Sequence, residues 1–169
     1  MVSNYTQEIE NNLSALSDTS RVWIWQAKEP LTDEQIAIVK NEIAQFIPQW
    51  TCHNQSLSAR GILAKGRFLI ICLDQERSTS ASGCSIDALT HMVQNIGNKI
   101  QSDFFDRNIF YYLSDGEIKK GQLSDLSNMH ANQDIDSTTL VFDPLLNSKA
   151  RLLNEWPKPL ATSWHKRFL

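Results

Sequence analysis

The segment Phe68-Leu-Ile-Ile-Cys-Leu73 constrains this chain more than any other. Side chains of a strand alternate between faces, so Phe68, Ile70 and Cys72 fall on one side and Leu69, Ile71 and Leu73 on the other. Both faces are apolar, and a strand of that kind needs cover on both and sits inside a sheet. Six residues form the longest apolar run in the chain. A bilayer crossing needs about 20, so no membrane insertion is expected.

Other elements fall into place around this strand. Arg21-Val-Trp-Ile-Trp-Gln-Ala27 reads as a strand with Trp23 and Trp25 on one face and Val22 and Ile24 on the other. Thr32 can cap a helix, Gln35 completes a capping box, and Asp33 and Glu34 suit the positive end of the helix dipole. Ile36, Val39, Ile43, Phe46 and Ile47 then mark one apolar stripe that ends at Pro48. Ser56–Lys65 and Arg67–Asp74 read as strands joined near Gly66, and a second long helix over Ser85–Lys99 buries Ile86, Leu89, Met92, Val93 and Ile96. Asn108–Leu113 is a further strand, Ser114-Asp-Gly116 a turn, and Glu117–Gly121 its partner strand. Beyond it the pattern gives a short helix over Leu123–Met129, a strand over Thr138–Phe142 and a Pro-interrupted tail carrying Trp156 and Trp164.

Through residue 113 the order is strand, helix, strand, strand, helix, strand. This is the split β-α-β order of ferredoxin-like α+β folds, an antiparallel sheet with two helices. The expectation is therefore an N-terminal arm over residues 1–20 and a single α+β domain over 21–169. Its core is 21–113, and the extension 114–169 covers a sheet edge or face. The length of 169 residues suits that reading, since domains typically run to about 100–150.

With 16 Lys and Arg against 19 Asp and Glu, the net charge of −3 offers no general field for nucleic acid, and none is expected as a partner. MVSNYTQEIENNLSAL has neither a basic n-region nor an apolar core, so a cytoplasmic location is expected. Three cysteines, Cys52, Cys72 and Cys84, form no CxxC pair, and a disulfide framework is not expected of them.

One segment carries candidate chemistry: Ser80-Ala-Ser-Gly-Cys-Ser-Ile-Asp87, a small-residue loop running into the second long helix. A helix start leaves about four N–H groups without intrahelical partners and bears about half a positive charge. It can hold an anion or lower a thiol pKa. Ser82 or Ser85 can serve as N-cap, Gly83 lets a ligand approach the backbone, and Cys84 is the candidate nucleophile. Cys84, Asp87 and His91 lie on one helical face but do not form a triad. Asp87 stands between the other two, and about 10 Å of helix rise separates Cys84 from His91. A base for Cys84 would come from His53, His130 or His165. No zinc spacing is present, and no metal or other cofactor is expected. The phosphate loop G-x-x-x-x-G-K-[ST] occurs nowhere, which excludes a Walker-type ATPase.

Ser20-Arg-Val-Trp-Ile-Trp-Gln-Ala27, Gln49-Trp-Thr51, Ala81-Ser-Gly-Cys-Ser-Ile-Asp87 and Ser163-Trp-His-Lys-Arg-Phe168 together resemble an uncharacterised family of small bacterial proteins often labelled "ABC transporter ATPase". The resemblance covers most of residues 20–169. It implies a bacterial cytoplasmic protein and brings no established activity. Cys84, Asp87, Trp164, His165 and Arg167 fall in the family-like segments. The leading expectation is a small-ligand or anion-binding, or interaction, domain. Its site comprises Ser82, Gly83, Ser85 and Asp87, with His165 or Arg167 of the basic tail supplying positive charge. The alternative is a thiol-dependent enzyme or redox-responsive protein using Cys84. The sequence names no protein partner.

Overall fold

All six residues of the apolar strand Phe68–Leu73 are buried, and two different layers cover it. The computed structural model describes residues 2–169, with side chains from Asn4 onward. In chain order the helices are α1 (Val2–Leu13), α2 (Asp33–Phe46), α3 (Gly83–Ile100), α4 (Leu126–Ala131) and α5 (Lys149–Glu155). The strands are β1 (Arg21–Gln26), β2 (Thr51–Cys52), β3 (Gln55–Ser56), β4 (Ala59–Ala64), β5 (Phe68–Leu73), β6 (Ile109–Ser114), β7 (Glu117–Gln122), β8 (Leu140–Val141) and β9 (Lys158–Pro159). Helices and antiparallel sheets together make the fold α+β. Among the described residues no helix is long and apolar enough to cross a membrane.

β5 is the middle strand of a three-stranded antiparallel sheet ordered β1-β5-β4. On one face Leu69, Ile71 and Leu73 meet α2 and α3 through Val39, Ile43, Leu89, Val93 and Ile96, with Trp23 and Trp25 packed alongside. α2 starts as its sequence predicts. Thr32 Oγ1 accepts from the N–H of Gln35, and the Gln35 side chain accepts from the N–H of Thr32 at 2.9 Å.

The opposite face, with Phe68, Ile70 and Cys72, is covered by a second sheet ordered β7-β6-β8-β9. Here the structure departs from the ferredoxin-like order. The first three strands keep the split β-α-β arrangement, but β6 pairs with β7 and β8 and not with β1. The reason lies in β6 itself, which also has two apolar faces. Ile109 and Tyr111 pack onto the Phe68 face, while Phe110 packs against Leu123, Leu126, Ile135 and Leu160 of the extension. Stacking over the first sheet gives both faces a cover. Phe68, Phe142 and Trp156 form the aromatic centre of this layer, with ring centroids 4.8–5.0 Å apart.

Residues 2–20 are built into the same layer. Ile9, Leu13 and Leu16 of α1 and its exit turn are buried against it. Two polar ties hold that turn. The Asp74 carboxylate accepts from the Ser17 N–H and hydroxyl, both at 2.9 Å. The Lys149 ammonium donates to the Leu16 carbonyl at 2.6 Å. Burial alone would raise the Asp74 pKa, but the Ser17 donors and the N–H groups of Glu76 and Arg77 hold it below its ordinary value.

Gly61 of β4 fixes how closely α2 approaches the sheet. A Cβ there would stand 2.4 Å from Ile43 Cγ2 and 2.8 Å from Ile71 Cδ1. Ile43 is β-branched and cannot swing aside easily, so the approach depends on glycine. Gly61→Ala is expected to lower the unfolding free energy by about 1–3 kcal/mol through overpacking. Urea denaturation of the two proteins measures the difference.

Candidate functional site

The start of α3 is organised by its own serines. Ser82 is extended (φ −82°, ψ 171°), and its Oγ accepts from the Ser85 N–H, the geometry of an N-cap. The Ser85 hydroxyl donates back to the Ser82 carbonyl at 2.9 Å. The N–H groups of Gly83 and Cys84 have no partner within the turn. A Cβ on Gly83 would meet nothing within 4 Å.

Opposite this turn stands the hairpin β2–β3, closed at His53 and Asn54, both with positive φ (50° and 63°). Such a two-residue turn matches the strand twist. Trp50, just before the hairpin, locks it to α3: its indole N–H donates to the Ser85 carbonyl at 2.8 Å. Its ring packs edge-on to Trp23 and beside Phe46. Between hairpin and helix lies a cavity of about 500 Å³ that Ser82, Gly83, Cys84 and Ser85 share with Cys52 and His53.

Four of the residues singled out from the sequence therefore come together, and three do not. Asp87 is exposed and outside the cavity wall. His165 is fully buried in the C-terminal 3-10 turn, and Arg167 lines a different cavity. Of the three histidines considered as a base for Cys84, His53 shares the cavity with it, and the residues that sequence reasoning passed over are Cys52 and Trp50. Cys52 is 4% exposed, and its thiol sits below the ordinary value. The Ser82 hydroxyl is the main cause, outweighing burial, with the Ser82 backbone, Thr79 and Ser85 adding to it. Cys72, by contrast, is pushed up to about 12 by burial in the core, against the hydrogen bond from Ser20 and the charge of Lys149.

His165 is a core residue. Its Nδ1 lies 3.1 Å from Ser163 Oγ, its ring packs on Trp164 and Phe110, and Nε2 has no partner. Burial lowers its pKa from 6.5 to about 4, against the pull of Asp143. In the folded state the imidazole therefore resists the proton that the unfolded chain accepts. The contribution of His165 to stability should be level above pH 6.5 and fall as pH drops from 6.5 to about 4, by on the order of 3 kcal/mol. Denaturation curves across this window should show a flatter slope for His165→Phe than for the parent protein.

Among the described residues no three His, Cys, Asp or Glu side chains converge as metal ligands would. No family model, curated protein or solved structure matches this chain. What the cavity can bind is read from the groups that line it.

Proposed function

We propose that this chain is a small-ligand-binding domain whose site is the cavity at the start of α3, suited to a small anion such as phosphate or a carboxylate. The observation that carries this reading is the pair of N–H groups on Gly83 and Cys84 that have no partner among the described residues, at the positive end of an 18-residue helix and bordering a cavity. Ser82 sets the backbone of that turn, and Trp50 holds the facing wall in place. The backbone and the helix dipole supply the positive potential here, while His165 and Arg167 stand apart from the site. Nucleotide hydrolysis of the P-loop kind has no place in this reading, since the Lys and hydroxyl it needs are missing at the required spacing.

Inorganic phosphate, or a carboxylate from a metabolite panel, should raise the melting temperature by several degrees at about 100 times its Kd, a stabilisation of ~2.7 kcal/mol. Gly83→Val should abolish the rise without unfolding the protein, because the new side chain meets open space. An unchanged melting temperature across the panel would refute the reading.

A second reading, a thiol-dependent enzyme or redox-responsive protein, is favoured by one observation: Cys52 joins Cys84 on the wall of the same cavity. Hydroxyl donors favour the thiolate of Cys52, and Cys84 is exposed at the helix start. On this reading, iodoacetamide near neutral pH modifies Cys84 faster in the folded protein than in the urea-unfolded chain, with Cys72 slowest of the three. Equal, slow alkylation of all three cysteines would sink it.

A further inference from the structure

Among the described residues one edge of β1 has no strand beside it, because β6 has gone to the second sheet. The register with β5 turns the backbone groups of Trp23 and Trp25 inward and those of Val22, Ile24, Gln26 and Lys28 toward this outer edge. Both ends of the edge are satisfied. The Val22 N–H donates to the Asn147 carbonyl at 3.1 Å, and the Lys28 N–H donates to the Asp103 carbonyl at 2.9 Å. Between them, Ile24 and Gln26 have no partner on this side among the described residues. Backbone groups at a protected position are nearly always paired, so the gap calls for an occupant.

A cavity of about 520 Å³ lies along this gap. Its floor carries Ile24, Trp25 and Gln26. Gln26 is only 7% exposed, and its Oε1 is buried with no hydrogen-bond partner. Trp164, which also lines the cavity, has an indole N–H in the same condition. The rim holds Phe105 and Leu145, 37% and 60% exposed, two of the large apolar side chains most open to solvent. Arg107 and Arg167 also border the cavity, and neither makes an ion pair among the described residues. The one carboxylate there, Asp106, is already engaged by Lys28 at 3.6 Å.

We infer that this cavity binds the carboxyl-terminal end of a peptide, which adds to β1 in extended form over Ile24 and Gln26. An extended chain repeats its outward amides about every 7 Å, the spacing that Ile24 and Gln26 present. The unpaired outward N–H and C=O groups of Ile24 and Gln26 suit a ligand that brings its own C=O and N–H. An apolar side chain fits among Phe105 and Leu145, and the unpaired guanidiniums suit a terminal carboxylate. The pairing at Val22 and at Lys28 closes the edge in both directions. A strand running through is therefore excluded, and a chain end of about three residues fits. This site is separate from the cavity at the start of α3 and shares no lining residue with it.

The test is a titration of ¹⁵N-labelled protein with N-acetyl-Ala-Leu-Leu as the free acid and as its C-terminal amide, followed by NMR and by amide hydrogen exchange. The free acid should shift the Ile24 and Gln26 amides and the Trp164 indole, slow exchange at both amides, and bind at least about tenfold more tightly than the amide form. Arg107→Ala and Arg167→Ala, both at exposed positions, should each weaken the free acid and leave the amide form little changed. Equal affinity for acid and amide, or shifts confined to Gly83 and Cys84, would overturn the inference. So would a concentration-dependent dimer that protects Ile24 and Gln26 without peptide, since the occupant would then be a second copy of the chain.

Discussion

Burial of β5 on both faces is the condition on which the rest of this structure depends. Phe68 to Leu73 place three apolar side chains on each side of one backbone, and no single layer can remove both sets from water. The chain supplies α2 and α3 for one side. For the other it brings β6 with the long extension that follows it, and α1 from the far end of the sequence. The second sheet is therefore a consequence of the first. Once β6 is used as a cover it can no longer serve as the neighbour of β1, and the open edge of β1 follows.

The same layering decides where chemistry can reside. The helical layer leaves the start of α3 at the surface, and Trp50 ties that start to the β2–β3 hairpin through one buried hydrogen bond, while its ring is held by Trp23 of β1 and Phe46 of α2. Two thiols from distant parts of the chain then border one cavity, held by a structural tryptophan that touches both walls. The rigid parts are the indole and the serine cap, and the open parts are Gly83 and Cys84.

Much of this was legible in the sequence because it is written in local patterns. The Thr32–Gln35 capping box, the alternation of β1 and the two-faced β5 each need only a few neighbouring residues to be read. The Ser82 cap is of the same kind. What could not be read is what depends on distant partners. The pattern of Ile109–Ser114 is identical whichever sheet it joins, and only the cover available from the extension decides. The His53-Asn54 turn lacks the glycine that marks such hairpins, so nothing local brings Cys52 to Cys84. His165 sits in a basic stretch that suggests an exposed charge, yet Trp164 and Phe110 enclose it. The stripe of α1 is only three residues in a polar segment, too short to signal burial.

The ties on that first helix bear on the order in which the protein is made. The Leu16 carbonyl waits for Lys149, 133 residues later, and the cover over Ile9 and Leu13 includes Phe142, Leu152 and Trp156. Contacts of such separation are the last to form. During synthesis from the amino terminus, the helical face of the sheet can close once α3 has emerged, while the α1 stripe keeps an exposed flank until α5 and Trp156 have followed. Ile9, Leu13 and Leu16 are made long before the residues that cover them, and a chain stopped before Trp156 would carry an uncovered apolar face on a half-finished sheet.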